Sequence, residues 1–303
     1  MLSKKFPIHF FAAVLAAFIW GFFSIPLRLL KDFPAQEILY YRIFTSLAIV
    51  LLISLFFRKN KIKTDLALVK KLNSKEKTKL YIQLLLSSVF ITVNWFSFIY
   101  VVNNVSLQSA AFAYMVCPII TAFFSYIILK ETFTQQKFIA LFISFLSVIL
   151  LSYGFYQEVL YSIFIAVLYS FYLVIQKRMV AIDKFNFLLI QLLLSFIIIL
   201  PFYIATSKSV PNDSFFWIMT LLISVVFTII PLFLSLYALI GISSSTMAII
   251  IYLNPILAFS IAFLFYNEPA TSTHVIAYII LLFAVILFNW QFLKTAFGFK
   301  PMI

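Results

Sequence analysis

The sequence predicts an all-α membrane protein of ten transmembrane helices, built as two inverted five-helix repeats with both termini cytoplasmic. Three observations predict it: a composition no water-soluble fold could hide, ten apolar runs of spanning length, and an internal repeat whose unit holds an odd number of runs. Of 303 residues, 65% are apolar and 10% charged, with a mean hydropathy of +1.13. Soluble domains carry roughly 45–50% apolar and 25% charged residues. Four glycines and long unbroken apolar stretches argue against a β-barrel, whose strands would alternate apolar and polar residues over short segments.

A helix crosses the hydrocarbon core with roughly 20 residues. Runs of that size lie near 8–30, 36–57, 80–102, 106–129, 135–153, 158–176, 185–206, 215–239, 243–266 and 273–293. The first has no early cleavage pattern and reads as a retained span. Asn103-Asn104-Val105 and Ile240-Gly241-Ile242 join their neighbours so tightly that the flanking helices must be antiparallel. The long polar segment from Arg58 to Lys79 is basic against only Asp65 and Glu76. It reads as a cytoplasmic loop carrying a short surface helix.

The net charge of +13 has a topological explanation, not a nucleic-acid one. With the N-terminus inside, every Lys and Arg except Arg28, Lys31, Arg42 and Lys208 falls on the cytoplasmic side, as the positive-inside bias requires. An even number of spans returns the C-terminus to the same side.

The third and fourth runs superpose without a gap on the eighth and ninth. Tyr100, Ser106, Pro118, Glu131 and Thr134 fall on Tyr237, Ser243, Pro255, Glu268 and Thr271. A weaker register sets Trp20 on Tyr169, Arg28 on Lys177 and Arg42 on Gln191. The units are 1–153 and 154–303. Five spans per unit make the second copy enter the membrane in the opposite sense, an architecture that secondary transporters use to expose one central site alternately to either side.

Catalytic chemistry has little to work with. Asp and Glu lie at run ends or in loops, and His9 and His274 sit at run edges. Paired carboxylates at depth, a nucleophile with its base, and a metal-ligand cluster are all missing from the pattern. The single cysteine, Cys117, cannot form an intramolecular disulfide. No enzyme activity, cofactor or metal is expected. The Asn104-Val105-Ser106 and Asn212-Asp213-Ser214 triplets match a glycosylation pattern expected by chance.

Arg42 is the exception, a charge roughly two turns into its span, where it costs a few kcal/mol unless paired or facing water. It either serves function or snorkels to the outer headgroups. Pro118, Pro231 and Pro255 stand near mid-run, where each removes a backbone donor and frees a carbonyl. They mark expected helix breaks and gating points around a central cavity. Asn94, Cys117 and Asn254 lie at that depth, and Trp20, Trp95, Tyr114, Tyr169, Tyr172 and Tyr252 are aromatics that could line it. Arg42, Asn94, Trp95, Tyr114, Tyr252 and Asn254 are the expected substrate-binding set, with Arg42 attracting an anionic group and the aromatics holding an apolar body.

Over nearly its whole length the sequence resembles the drug/metabolite transporter superfamily, EamA-type, and within it the RarD-type (chloramphenicol-sensitive) subfamily. The resemblance rests on Trp20-Gly21, Pro34-Ala35, Glu37-Ile38-Leu39 and Arg42, on Asn94-Trp95, Phe98-Ile99 and Val102-Asn103-Asn104, and on Tyr114 with Pro118 and Leu129 with Glu131. In the second half it continues with Tyr172 and Lys177, Thr228 with Pro231-Leu232, and Tyr252 with Pro255 and Glu268. The sequence departs from the family pattern at Ser24, Cys117 and Ile251, and lacks the usual Pro-Trp entry to the sixth span. The resemblance implies a ten-span protein of a bacterial cytoplasmic (inner) membrane that exports or exchanges small metabolites such as amino acids or amphipathic compounds. Its partners would be that small-molecule substrate and membrane lipid, with no nucleic acid. A passive channel, a membrane scaffold and, less readily, a membrane-embedded enzyme are the rival classes.

Overall fold

The computed structural model describes residues 6–105, 107–152, 156–179, 182–206, 210–266, 272–290 and 294, and their regular secondary structure is entirely helical. In chain order the helices are α1 (Phe6–Gly21), α2 (Ser24–Leu29), α3 (Ala35–Phe57), α4 (Lys59–Lys71), α5 (Ser74–Asn104), α6 (Leu107–Leu129) and α7 (Gln135–Ser152). The second half holds α8 (Tyr156–Arg178), α9 (Lys184–Thr206), α10 (Ser214–Ser224), α11 (Ile230–Gly241), α12 (Ser244–Ile250), α13 (Leu253–Tyr266) and α14 (Ser272–Phe288). A π-helical segment, Val225–Ile229, joins α10 to α11.

Each apolar run of the sequence therefore became helix. Among the described residues, seven helical stretches are long and apolar enough to cross a membrane, and Gln135–Leu150, Ser244–Leu257 and Val275–Phe288 are shorter apolar helices. The surface is what an integral multi-pass membrane protein requires. Large apolar side chains such as Phe123, Phe142, Leu160 and Ile204 are more than half exposed, while Ser46, Ser87, Ser144, Ser170 and Ser195 are fully buried. With lipid outside, association gains little from hydrophobic burial and relies on close packing and interhelical hydrogen bonds. Thr92 donates to Ser195 at 2.7 Å between α5 and α9, and Ser147 donates to the Ala277 carbonyl at 2.7 Å between α7 and α14.

The packing partners come in exchanged pairs. α1 packs on α11 as α8 packs on α5; α6 packs on α8 as α13 packs on α1; α10 packs on α3 as α5 packs on α9. The pairs α3 with α9 and α7 with α14 map onto themselves. Such exchange is what a two-fold relation between five-span units produces.

Three apolar runs are interrupted. The first bends between α1 and α2 at Phe22-Phe23, the eighth relaxes into the π-helical segment, and the ninth turns at Ile251-Tyr252 between α12 and α13. Proline explains each. Pro26 has no N–H for the Phe22 carbonyl, which takes the Ile25 N–H at 3.1 Å instead; Pro255 leaves the Ile251 carbonyl to the Asn254 N–H at 2.9 Å. Pro231 leaves the Phe227 carbonyl without its usual donor four residues on, and the Trp20 indole N–H fills that place at 3.0 Å. The expected break at Pro118 is corrected: α6 runs through it from Leu107 to Leu129. A proline in a helix costs about 3 kcal/mol without having to end it when packed neighbours hold both flanks, and α8 lies along this one.

Candidate functional site

The interruptions of α1–α2 and α12–α13 border a common cavity between the helices. Its lining comprises Trp20, Gly21, Phe23 and Ser24 at the first break, Arg42 of α3, Trp95 and Phe98 of α5, Tyr114 of α6, Tyr169 of α8, and Asn254 with Pro255 of α13. Gly21 is required by a close approach: a Cβ there would meet Leu257 Cδ1 at 2.5 Å. The volume is about 50 Å³, against several hundred Å³ for pockets that hold drug-sized ligands. The space has room for a few waters.

Arg42 dominates its chemistry. The side chain is 2% exposed, so it does not snorkel to a headgroup region. Nε donates to Thr228 Oγ1 at 2.6 Å, and the guanidinium carbon sits 4.9 Å from the Phe23 ring centre and 4.8 Å from that of Trp95. Thr228 in turn donates to the Ile223 carbonyl at 2.9 Å, an acceptor that the π-helical geometry makes available. An arginine at the centre of a span costs about 2.5–3.5 kcal/mol on insertion scales. A charge-assisted hydrogen bond and two ring faces each return roughly 1–2 kcal/mol. Burial is thereby tolerated without an acidic partner: among the described residues no carboxylate lies within ion-pairing distance of Arg42. Its positive charge lies at the cavity, and among the described residues Nε alone donates a hydrogen bond.

Around it the walls are aromatic. Phe23 stacks on Phe98 (centroids 6.1 Å) and on Phe227 (5.6 Å), Phe98 meets Tyr114 edge-on (5.3 Å), and Tyr114 meets Tyr169 (6.0 Å). Trp20 and Tyr169, equivalent positions in the sequence repeat, face each other at 6.4 Å. Two polar atoms in this wall, Tyr169 Oη and Asn254 Oδ1, are buried with no hydrogen-bond partner among the described residues. Such atoms cost roughly 1–3 kcal/mol each and suit a ligand or water that completes them.

Of the six expected binding residues, Arg42, Trp95, Tyr114 and Asn254 line this space. Asn94 does not: it is fully buried and its Nδ2 donates to the Ile165 carbonyl of α8 at 2.9 Å, tying α5 to α8. Tyr252 stands apart as well, packed with Met115, Ala277 and Leu281 in a separate cluster. Asn94 sits on α5, a helix of the site, but points elsewhere around its axis, and Tyr252 lies in the turn between α12 and α13. Tyr172 turns to Gln191, donating to Oε1 at 3.5 Å. Phe23, Ser24 and Phe98 also belong to the lining; Phe23 was not singled out by the sequence, and Ser24 and Phe98 stood out only as a departure from and a match to the family pattern. Gly21 and Pro26, which flank the first break, were the available signal.

At one end of the bundle, charged side chains hold neighbouring segments together. Lys130 turns α6 off with a left-handed φ of 52°, aiming Glu131 at the start of α12. Its Oε1 accepts from the Ser244 N–H (2.8 Å) and hydroxyl (2.7 Å), and its Oε2 from the Ser245 N–H (3.4 Å) and hydroxyl (2.6 Å). Lys177 Nζ donates to the Leu239 and Ile242 carbonyls at 2.8 and 2.7 Å. An anion at a helix N-terminus and a cation at a C-terminus are each matched to the backbone dipoles there, so α12 and α11 are pinned at one turn by two side chains from neighbouring helices. His9 adds a contact to the Tyr237 carbonyl at 3.0 Å.

Residues 8–153 and 157–290 each match the profile of the EamA-like transporter family. The chain is similar to Protein RarD of Escherichia coli (strain K12), 26% identical over 281 residues that cover 91% of this chain and 92% of that one. It is also similar to the uncharacterized transporter YojE of Bacillus subtilis (strain 168), 24% identical over 281 residues and 91% of both chains. A solved crystal structure of a protein 14% identical superposes with a TM-score of 0.69 over 94% of this chain and 97% of its own, a likeness of fold.

Proposed function

This chain belongs to the EamA-like transporter family, a membrane transporter of the drug/metabolite type, and from that premise we propose that it moves a small anionic or zwitterionic metabolite by alternating access. The carrying observation is Arg42, a buried cation facing a largely aromatic cavity with no carboxylate to neutralise it among the described residues. A carboxylate or similar group on the solute would take the free guanidinium donors. The rings would hold an apolar body, and Asn254 Oδ1 with Tyr169 would receive a donor group.

The proposed topology is ten spans with both termini cytoplasmic. The seven long and three short apolar helices account for ten, and the exchanged packing pairs support inverted five-helix units, 1–153 and 154–303, in a bacterial inner membrane. In this topology the Glu131 and Lys177 clasp lies on the cytoplasmic side and acts as an inner gate. The two halves rock about the cavity, with the interruptions at Pro26, Pro231 and Pro255 as bending points. Export or exchange is the proposed direction, and facilitated movement is favoured over proton coupling because the described cavity holds no carboxylate.

Exchange in proteoliposomes tests the reading: vesicles loaded with labelled amino-acid and metabolite pools receive unlabelled candidates outside, for wild type and Arg42→Ala. Saturable exchange by the wild type, lost in a folded Arg42→Ala, is the expected result. Non-saturable flux would instead indicate a channel, and exchange untouched by Arg42→Ala would remove Arg42 from the site.

A further inference from the structure

Among the described residues α4 is the one amphipathic helix outside the bundle, and it is built for a surface of opposite charge. It has no buried residue. Ile62, Asp65, Val69 and Leu72 form a half-buried row against the protein, while Lys59, Lys63, Leu66 and Lys70 share an exposed stripe beside it. Asp65 secures the inner row: its Oδ2 accepts from Asn186 Nδ2 at 2.6 Å and from the Asp183 N–H at 3.1 Å, at the start of α9.

The stripe is electrostatically unmatched. Asp65 is engaged as described, and Glu76, the other acid of the segment, closes a capping box with Asn73 at the start of α5. Among the described residues no carboxylate pairs with Lys59, Lys63 or Lys70. The stripe also lies at the depth of the bilayer surface, because α4 begins two residues after the end of α3, where Phe56 and Phe57 are 73% and 84% exposed. Aromatic side chains so exposed at a span's end mark the interface.

We propose that α4 is a binding site for anionic phospholipid headgroups of the leaflet that Phe56 and Phe57 enter. Lys59, Lys63 and Lys70 contact phosphate, Leu66 enters the acyl boundary, and Asp65 keeps the helix seated on α9. Basic amphipathic helices bind membranes by this combination of charge and buried apolar area. The occupant is lipid because the stripe adjoins the spans and carries Leu66 within it; a soluble polyanion would have no use for that leucine.

The test is amide hydrogen exchange over residues 59–71 of the full chain in phosphatidylcholine vesicles and in vesicles with about 30% phosphatidylglycerol. Exchange is expected to slow by about fivefold or more in the anionic vesicles, the scale of a single lysine at such a surface, and to recover in high salt. A Lys59→Gln/Lys63→Gln/Lys70→Gln variant should lose the slowing. Equal exchange in both vesicles overturns the proposal, as does slowing that the triple variant retains. Slowing by soluble polyglutamate but not by phosphatidylglycerol would assign the stripe to an acidic macromolecule and overturn it too. If the variant unfolds, faster exchange throughout the spans will reveal it, and the wild-type lipid and salt comparison still decides. The readout is lipid contact, so it stands or falls separately from transport.

Discussion

Arg42 is the residue on which function and stability pull apart. A buried charge retained without an ion-pair partner is weak support for a fold, and replacing such groups by apolar ones of similar size is often neutral or stabilising. Arg42→Met should therefore leave the thermal midpoint unchanged or raised, by about 1 kcal/mol in stability, while abolishing saturable exchange. Arg42→Lys keeps the charge but loses the planar fork that reaches Thr228 and lies against Phe23 and Trp95. Its exchange rate should fall by about tenfold or more, since Arg and Lys are not interchangeable at stacked sites. A variant that loses stability and exchange together would mean that Arg42 is a packing element. Gly241 is the second informative residue. A Cβ there would collide with the His9 ring, so Gly241→Ala should destabilise by about 1–3 kcal/mol. His9→Ala in the same chain should recover most of that loss, a coupling that a double-mutant cycle of thermal unfolding reads directly.

At the scale of elements, the helix ends carry the polar chemistry. Glu131 supplies four hydrogen bonds to the first turn of α12, so Glu131→Ala should expose that turn. Hydrogen exchange of the Ser244 and Ser245 amides should rise by about tenfold or more, the scale set by a lost helix cap. Unchanged protection would remove Glu131 from the proposed gate. At the start of α9, burial works against the charged form of Asp183, yet hydrogen bonds from Arg58 and from the Asn186 and Phe185 backbone outweigh it and hold the carboxyl below its ordinary value. The sign follows from linkage. A lowered native pKa means the pair's contribution is complete above the unfolded carboxylate value near 4. It is lost as pH falls through the lower native value. Because both side chains are about a quarter exposed (29% and 25%), the effect is small, within about 1 kcal/mol. Thermal unfolding of Asp183→Asn should accordingly lose part of the acid-side dependence seen in the wild type and change little in its slope above neutrality.

At the scale of the whole molecule, the all-helical, membrane-spanning character was legible in the apolar runs because hydropathy and run length are properties of a linear stretch. The repeat was legible from residues such as Pro118 with Pro255, and the exchanged packing pairs have the form it predicts. The helical interruptions were legible only in part. Proline removes a donor wherever it stands, but α6 absorbs Pro118 while the run through Pro26 breaks. Neighbours that hold both flanks, or supply a donor as Trp20 does for Phe227, decide the outcome. The site divides in the same way. Arg42 was conspicuous as the only charge deep in a run. Asn94, Tyr252 and Asn254 looked alike in the sequence, yet only Asn254 faces the cavity. These helices are apolar on almost every side, so no stripe of polar residues marks the inward direction. Azimuth is set instead by which neighbour each helix packs against. Helical class and the apolar runs are thus written along the chain, because transfer from water to lipid is summed locally. Which polar groups meet in one cavity was decided by tertiary structure, because that depends on helix rotation and on close contacts between residues more than a hundred positions apart, such as Arg42 with Thr228 and Trp20 with Phe227.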